Sequence, residues 1–235
     1  MASLTDLALG LVTLYLVPRL PRGAGAPRYW RATFLWAAVT ALIGAAYHGV
    51  LVGRPQAGHV TWAVMSSMVV VVMSFVLAAS VIEVLGRRRA VVFWPLRLIG
   101  LVAYAVFAAT GHASITAILW CESLTVACVL GLWVWASLRG HPLARPMLVA
   151  IGVSIAAALF RLVPSAAALI HLDPDSAYHL GQIPGMVLLY LAVARDLRPW
   201  RRGVAVRMDR SGPARGRPAP ASGDPSRPRG AEDGR

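Results

Sequence analysis

The sequence predicts an all-α protein, a polytopic transmembrane bundle of seven helices, and three observations support this prediction. Hydrophobic residues make up 57 % of the 235 residues and charged residues only 14 %, whereas roughly a quarter of the residues in a soluble domain are charged. Apolar stretches recur along the chain, and most are long enough to cross about 30 Å of hydrocarbon as helices. The arginines concentrate between alternate stretches.

Seven apolar segments are predicted, at about residues 4–18, 30–52, 60–85, 90–110, 113–138, 146–170 and 176–195. The first connection together with the start of the second segment contains four arginines, the third connection three and the fifth two, whereas the second contains one and the fourth and sixth contain none. Arginine-rich loops stay in the cytoplasm. The pattern therefore predicts a transmembrane domain over residues 1–200, with the N-terminus outside and the C-terminus cytoplasmic.

The net charge of +13 comes from 23 basic residues, all of them arginine. Because they lie in short loops and near the C-terminus, they indicate membrane topology and contact with lipid headgroups rather than nucleic-acid binding. Residues 201–235 are rich in Gly, Pro, Ser and Arg, which predicts a disordered basic tail. Cys121 and Cys128 lie seven residues apart in one segment, roughly 10 Å along a helix, so they are predicted to be free.

Histidines at one side of the predicted membrane form the main candidate site, since ionisable residues within apolar segments are costly and usually functional. His48 and His179 both lie roughly 5 Å below the outer ends of the second and seventh segments. Asp175 precedes His179 by one helical turn and shares its face. These three residues are predicted to bind zinc with an open fourth position, which requires the two segments to be neighbours. Alternatively, the histidines are interfacial anchors that bond to each other or to backbone.

Further polar residues lie near this site or deeper in the membrane. Asp6 opens the first segment on the outer side, where it either caps the helix or joins the site. His59 lies in the second connection, and Gln182, one turn deeper than His179, is a candidate hydrogen-bond partner for an imidazole. Glu122 and Arg161 lie at comparable depth in adjacent segments, which predicts a buried ion pair. A role for Glu122 as a proton carrier or substrate contact is the alternative.

Two short motifs resemble those of a known group of proteins. The segment Gly44-Ala-Ala-Tyr-His48-Gly and the segment Asp175-Ser-Ala-Tyr-His179-Leu-Gly-Gln182 resemble uncharacterised bacterial seven-span proteins. These look like distant relatives of the alkaline ceramidase and progestin/adiponectin receptor (CREST) superfamily. Its members carry a Ser four residues before a His in the second span, an Asp shortly afterwards, and a His-x-x-x-His pair at the seventh span. These residues bind zinc and activate water to cleave lipid amides.

The match to that pattern is partial. His48 and His179 stand at two histidine positions and Asp175 at the third. Gly44 stands at the Ser position, and no Asp follows His48 at the expected distance, so that His59 is the nearest polar residue.

The resemblance implies a zinc-dependent hydrolase of lipid amide or ester bonds, located in the bacterial inner membrane and acting on membrane lipids. Two alternatives from other classes remain. One is a non-catalytic seven-span protein, a sensor or an assembly partner. The other is a b-type haem protein with His48 and His179 as axial ligands at equal depth.

Overall fold

The computed structural model describes residues 1–195, and within this range the chain is helical with no strand. The long helices are numbered in chain order as α1 (Ala2–Leu16), α2 (Ala26–Ala46), α3 (Pro55–Leu85), α4 (Trp94–Ala109), α5 (Ile115–Leu138), α6 (Ala144–Leu162) and α7 (Pro174–Arg195). Short helical turns join or extend them at Val17–Arg19, Tyr47–Leu51, Arg87–Ala90, Val91–Phe93 and Pro164–Ala168. The predicted tail, residues 201–235, lies outside the described residues.

Six of the helices described are long and apolar enough to cross a membrane. They are α2 with the turn that follows it, α3, α4 with the turns that precede it, α5, α6 and α7. The protein is therefore an integral membrane protein, and the predicted all-α class is confirmed. Helix α1 has 15 residues, about 22 Å at 1.5 Å per residue, which is shorter than the hydrocarbon core.

Most helix ends follow local sequence signals. Pro27 lies in the first turn of α2, where the missing N–H costs nothing. The side chain of Ser114 accepts a hydrogen bond from the backbone N–H of Ala117 and so caps α5. Helix α3 ends at Leu85, and the next residue, Gly86, has a φ of +79°, which glycine adopts without steric cost. Proline, serine and glycine residues therefore set these helix ends.

Helix α6 ends earlier than the sequence predicted. The sixth apolar segment was expected to extend to residue 170, but the helix ends at Leu162. Pro164 disfavours helical geometry at the residue before it, and Val163 has φ −124° and ψ 83°. As a result Arg161 lies in the last turn of α6.

The helices pack around α1 and α3. Helix α1 packs along α2 and also contacts α7, and α6 packs extensively on α7. Helix α3 contacts α2, α4 and α5. The second and seventh predicted segments were expected to be direct neighbours. Instead α1 lies between α2 and α7, and His48 and His179 approach each other only beyond the end of α2.

The main apolar core lies toward the end of the bundle that carries the arginine-rich connections. Trp30, Phe34, Leu77, Trp133 and Met147 are its largest fully buried side chains. The indole N–H of Trp133 donates to the hydroxyl of Ser80 at 3.1 Å, which ties α5 to α3. In lipid, such close packing rather than exclusion of water holds helices together. This core fixes the helices whose opposite ends carry the candidate site.

Candidate functional site

Helix α1 presents a polar residue to the helices beside it. Asp6, Gly10, Thr13 and Leu16 are buried at spacings of three or four residues and form one face of α1. Asp6 is only 3 % exposed. The hydroxyl of Ser3 donates to the carbonyl of Ala45 at 2.7 Å, which fixes the start of α1 against the end of α2. The carboxyl group of Asp6 is thereby held against α2.

Gly44 provides the space that this carboxyl group occupies. A Cβ atom placed on Gly44 would lie 2.9 Å from Oδ2 of Asp6, 3.1 Å from Cγ and 3.2 Å from Oδ1. No side chain larger than hydrogen fits there without displacing Asp6. The absence of a side chain at Gly44 therefore leaves the volume that the carboxylate of Asp6 fills.

His48 reaches the same carboxylate from a π-helical turn. Residues Tyr47–Leu51 follow α2 with this wider geometry, in which one extra residue per turn changes the direction of side chains, often at functional sites. The Nε2 atom of His48 lies 3.8 Å from Oδ2 of Asp6, and the side chain is 16 % exposed. The ring of Tyr47 packs edge-on against the imidazole at 5.0 Å between centroids.

His179 approaches Asp6 from the opposite side. It lies in the second turn of α7, 10 % exposed, with Nε2 3.2 Å from Oδ1 of Asp6. The centroids of the two imidazole rings are 6.1 Å apart. Two histidine nitrogens thus face the two oxygens of one buried carboxylate. Asp6, His48 and His179 are called the Asp–His cluster below.

Asp173 positions the start of α7 and hence His179. Its carboxylate accepts hydrogen bonds from the backbone N–H of Ser176 at 2.9 Å and from the Ser176 hydroxyl at 2.6 Å. These bonds satisfy donors that a helix start leaves free. They also lower the pKa of Asp173 below its ordinary value, because they favour the charged carboxylate.

Asp175, predicted as the third zinc ligand, does not join the cluster. It forms an ion pair with Arg161 at the end of α6. Because α6 ends at Leu162, the guanidinium lies at the depth of the first turn of α7 and takes the carboxylate that the sequence assigned to the site. The prediction for Asp175 is therefore corrected: the carboxylate that faces both histidines is Asp6.

The predicted ion pair between Glu122 and Arg161 is also wrong. Glu122 is buried on α5, where its Oε1 atom lies 3.1 Å from the position of a Cβ on Gly100 of α4. Arg161, in the last turn of α6, pairs with Asp175 instead.

The other residues that the sequence singled out lie outside the Asp–His cluster. Gln182 donates from Nε2 to the carbonyl of Ser154 at 3.0 Å, so it ties α7 to α6 rather than orienting an imidazole. His59 is exposed near the start of α3. Cys121 and Cys128 are free, as predicted. Of the additional residues named from sequence, only Asp6 belongs to the site.

The donor set of the Asp–His cluster suits a metal ion chemically. Two imidazole nitrogens and one carboxylate are ligands that zinc accepts, and three protein ligands are typical of catalytic zinc sites. The buried Oδ2 of Asp6 and Nδ1 of His179 have no hydrogen-bond partner. Within residues 1–195, however, no group of three or more His, Cys, Asp or Glu side chains has the arrangement of a formed metal site. Binding would require the direct contacts of Asp6 with both histidines to open.

The fold and the cluster together define a class: a helical integral membrane protein with a buried carboxylate and two histidines near one end of its bundle. A family model described as a family of unknown function, DUF6962, matches residues 1–198. The chain belongs to this family. No curated protein and no solved structure matches it.

Proposed function

We propose that this protein is a metal-dependent integral-membrane hydrolase of lipid amide or ester bonds, with zinc held by Asp6, His48 and His179. The observation that carries the proposal is the approach of both Nε2 atoms to one buried carboxylate, at 3.8 Å and 3.2 Å. Intramembrane ionisable residues that converge from separate helices usually serve function. The resemblance of the two histidine motifs to CREST-type hydrolases adds the reaction class.

In this proposal, α1 together with the helical turn that continues it to Arg19 is a seventh span beside the six long apolar helices. The N-terminus then lies outside and the C-terminus in the cytoplasm, because the arginine-rich connections alternate along the chain. The Asp–His cluster lies near the outer surface of a bacterial inner membrane. A lipid from the outer leaflet would reach it with its amide or ester group near the interface.

Each cluster residue has a distinct part in the proposed chemistry. His48 and His179 would donate neutral imidazole nitrogens to the ion, and Asp6 would supply the negative charge. A bound zinc ion would lower the pKa of a water molecule to near neutrality. Hydrolysis joins the water oxygen to the acyl carbon and breaks its bond to nitrogen or oxygen. The proton of the water would end on the leaving nitrogen or oxygen, so that an amine or an alcohol and a fatty acid are released.

A non-catalytic role is the second candidate, and one observation favours it. Asp6 already contacts both histidines directly, so the cluster satisfies part of its own charge without an ion. Such a cluster could join α1, α2 and α7 in a sensor or assembly partner. A haem between the imidazoles is less compatible with these positions, since the carboxylate of Asp6 lies beside both Nε2 atoms.

The metal content of the purified full-length protein tests the proposal. We expect close to stoichiometric zinc in the wild type, and loss of zinc in His48→Ala, His179→Ala and Asp6→Asn. The matched control is His141→Ala, since His141 precedes α6 at the other end of the bundle and packs on Trp133. Release of fatty acid from N-acyl lipids should depend on the same three residues and stop with a chelator.

Three results would contradict the proposal. The first is a protein without zinc that folds normally, which would favour the non-catalytic role. The second is zinc that survives replacement of both histidines. The third is a haem absorption spectrum of the purified protein, which would favour the axial-ligand alternative.

A further inference from the structure

An ion pair lies beside the Asp–His cluster and is not explained by the proposed metal site. Arg161 in the last turn of α6 pairs with Asp175 in the first turn of α7. Their side chains are 25 % and 31 % exposed, respectively. Partly exposed pairs of this kind contribute little to stability. Holding the helices together therefore does not account for the presence of an arginine at this position.

The charge of Arg161 reaches the site. Arg161 pairs with Asp175, which lies one helical turn before His179 on α7, so the guanidinium lies close to the Asp–His cluster. An arginine this close opposes the binding of a metal ion and favours the binding of an anion. The carboxylates of Asp6 and Asp175 offset that charge, so a bound divalent ion would leave the site positive overall.

Arg161 also has more N–H donors than a single carboxylate can accept. A guanidinium carries five N–H groups in a planar fork that matches the oxygens of a carboxylate or phosphate. Within residues 1–195, Asp175 is its one ion-pair partner. Because Asp175 is partly exposed, an incoming anion can reach the guanidinium and compete with it.

We propose that Arg161 binds the anionic headgroup of the lipid substrate, a carboxylate or a phosphate, and that Asp175 is the counter-ion displaced when this substrate enters. The substrate class is then an acyl lipid with a negative charge close to the bond that is cleaved. This inference rests on the proposed hydrolase function for its catalytic consequence, whereas binding of the anion at Arg161 is testable without any turnover.

A pair of substrates with the same acyl chain tests the catalytic consequence. N-dodecanoyl glycine carries a carboxylate next to the amide, and N-dodecanoyl ethanolamine is its neutral counterpart. With wild-type protein in detergent micelles, we expect kcat/KM to favour the glycine conjugate by about tenfold, as a charged hydrogen bond allows. Arg161→Gln should remove this preference, and Arg161→Lys should retain part of it. Arg145→Gln, a change of an exposed arginine at the start of α6, should keep it.

A binding measurement separates this inference from the proposed function. In the presence of a chelator, dodecanoate or dodecyl phosphate should raise the melting temperature of the wild type, and dodecanol should not. Arg161→Gln should lose this shift, while Asp175→Asn should enlarge it because the competing carboxylate is gone. Whichever anion gives the larger shift identifies the headgroup chemistry.

The hydrolysis assay and the binding measurement have distinct outcomes. Arg161-dependent binding of anions without hydrolysis of either lipid would support the anion site and overturn the hydrolase. Hydrolysis with the same substrate preference in wild type and Arg161→Gln would overturn the role of Arg161 and leave the hydrolase standing. Anion-induced shifts that are equal in wild type and Arg161→Gln would also overturn the inference.

Discussion

Replacing Gly44 with alanine should disrupt the Asp–His cluster without removing any of its side chains. The new Cβ would lie 2.9–3.2 Å from three carboxyl atoms of Asp6, whereas ordinary contacts begin near 3.4 Å. The carboxylate must therefore move by several tenths of an ångström. Overpacking of this kind costs about 1–3 kcal/mol of stability. The same displacement exceeds the roughly 0.2 Å tolerance of metal–ligand distances.

Zinc affinity and thermal stability measure this effect. Titration against a chromophoric chelator should show about 10- to 100-fold weaker zinc binding in Gly44→Ala, comparable to loss of a residue that orients a ligand. The control is Gly152→Ala on α6, because a Cβ there meets nothing within 4 Å. It should bind zinc as the wild type does and be no less stable.

A double replacement tests the physical reason. In Asp6→Ala the carboxyl group is gone, so adding Gly44→Ala should cost much less stability than it does in the wild type. If the two losses are simply additive, or if Gly44→Ala binds zinc as tightly as Gly152→Ala, the steric argument is refuted.

Three further outcomes are expected. Asp173→Ala should lower stability by about 1 kcal/mol at pH 7 through loss of the α7 cap. The pKa of Asp173 in the folded protein is lowered from 3.8, so the cap stabilises the protein above about pH 4. The stability difference between the wild type and Asp173→Ala should shrink as the pH falls below that value. A difference that grows in acid would contradict this. Arg161→Gln and Asp175→Asn should show a coupling of up to about 1 kcal/mol in melting experiments, whereas Glu122→Gln and Arg161→Gln should be additive. A reporter fused to the C-terminus should be active only in the cytoplasm, and activity outside would overturn the seven-span topology.

The all-α class could be predicted from the sequence because a membrane restricts the length and composition of the helices that cross it. A helix that crosses hydrocarbon needs about 20 apolar residues in succession, and every backbone polar group must be satisfied within the helix. Composition and periodic breaks at Gly, Pro and Arg therefore locate the helices without any knowledge of their contacts. Asp6, His48 and His179 could also be singled out individually, since each is an ionisable residue near one end of an apolar segment.

The pairing of these residues was decided by tertiary structure. The sequence placed Asp175 with His179 because the two are one turn apart on α7, and it placed Glu122 with Arg161 because their segments are adjacent. The outcome of both predictions depended on where α6 ends. The helix ends at Leu162, two residues before Pro164. Arg161 then lies in the last turn of α6 and forms an ion pair with Asp175, which therefore does not contact the histidines.

The partner of the two histidines depended on a contact between residues far apart in the chain. Helix α1 lies against both α2 and α7, and the lack of a side chain at Gly44 lets the carboxylate of Asp6 enter between His48 and His179. Depth in the membrane follows from position in the sequence because a helix rises by a constant 1.5 Å per residue. Which helices are neighbours, and which faces they present to each other, depends on side-chain packing between them, and that is specified only by the folded bundle.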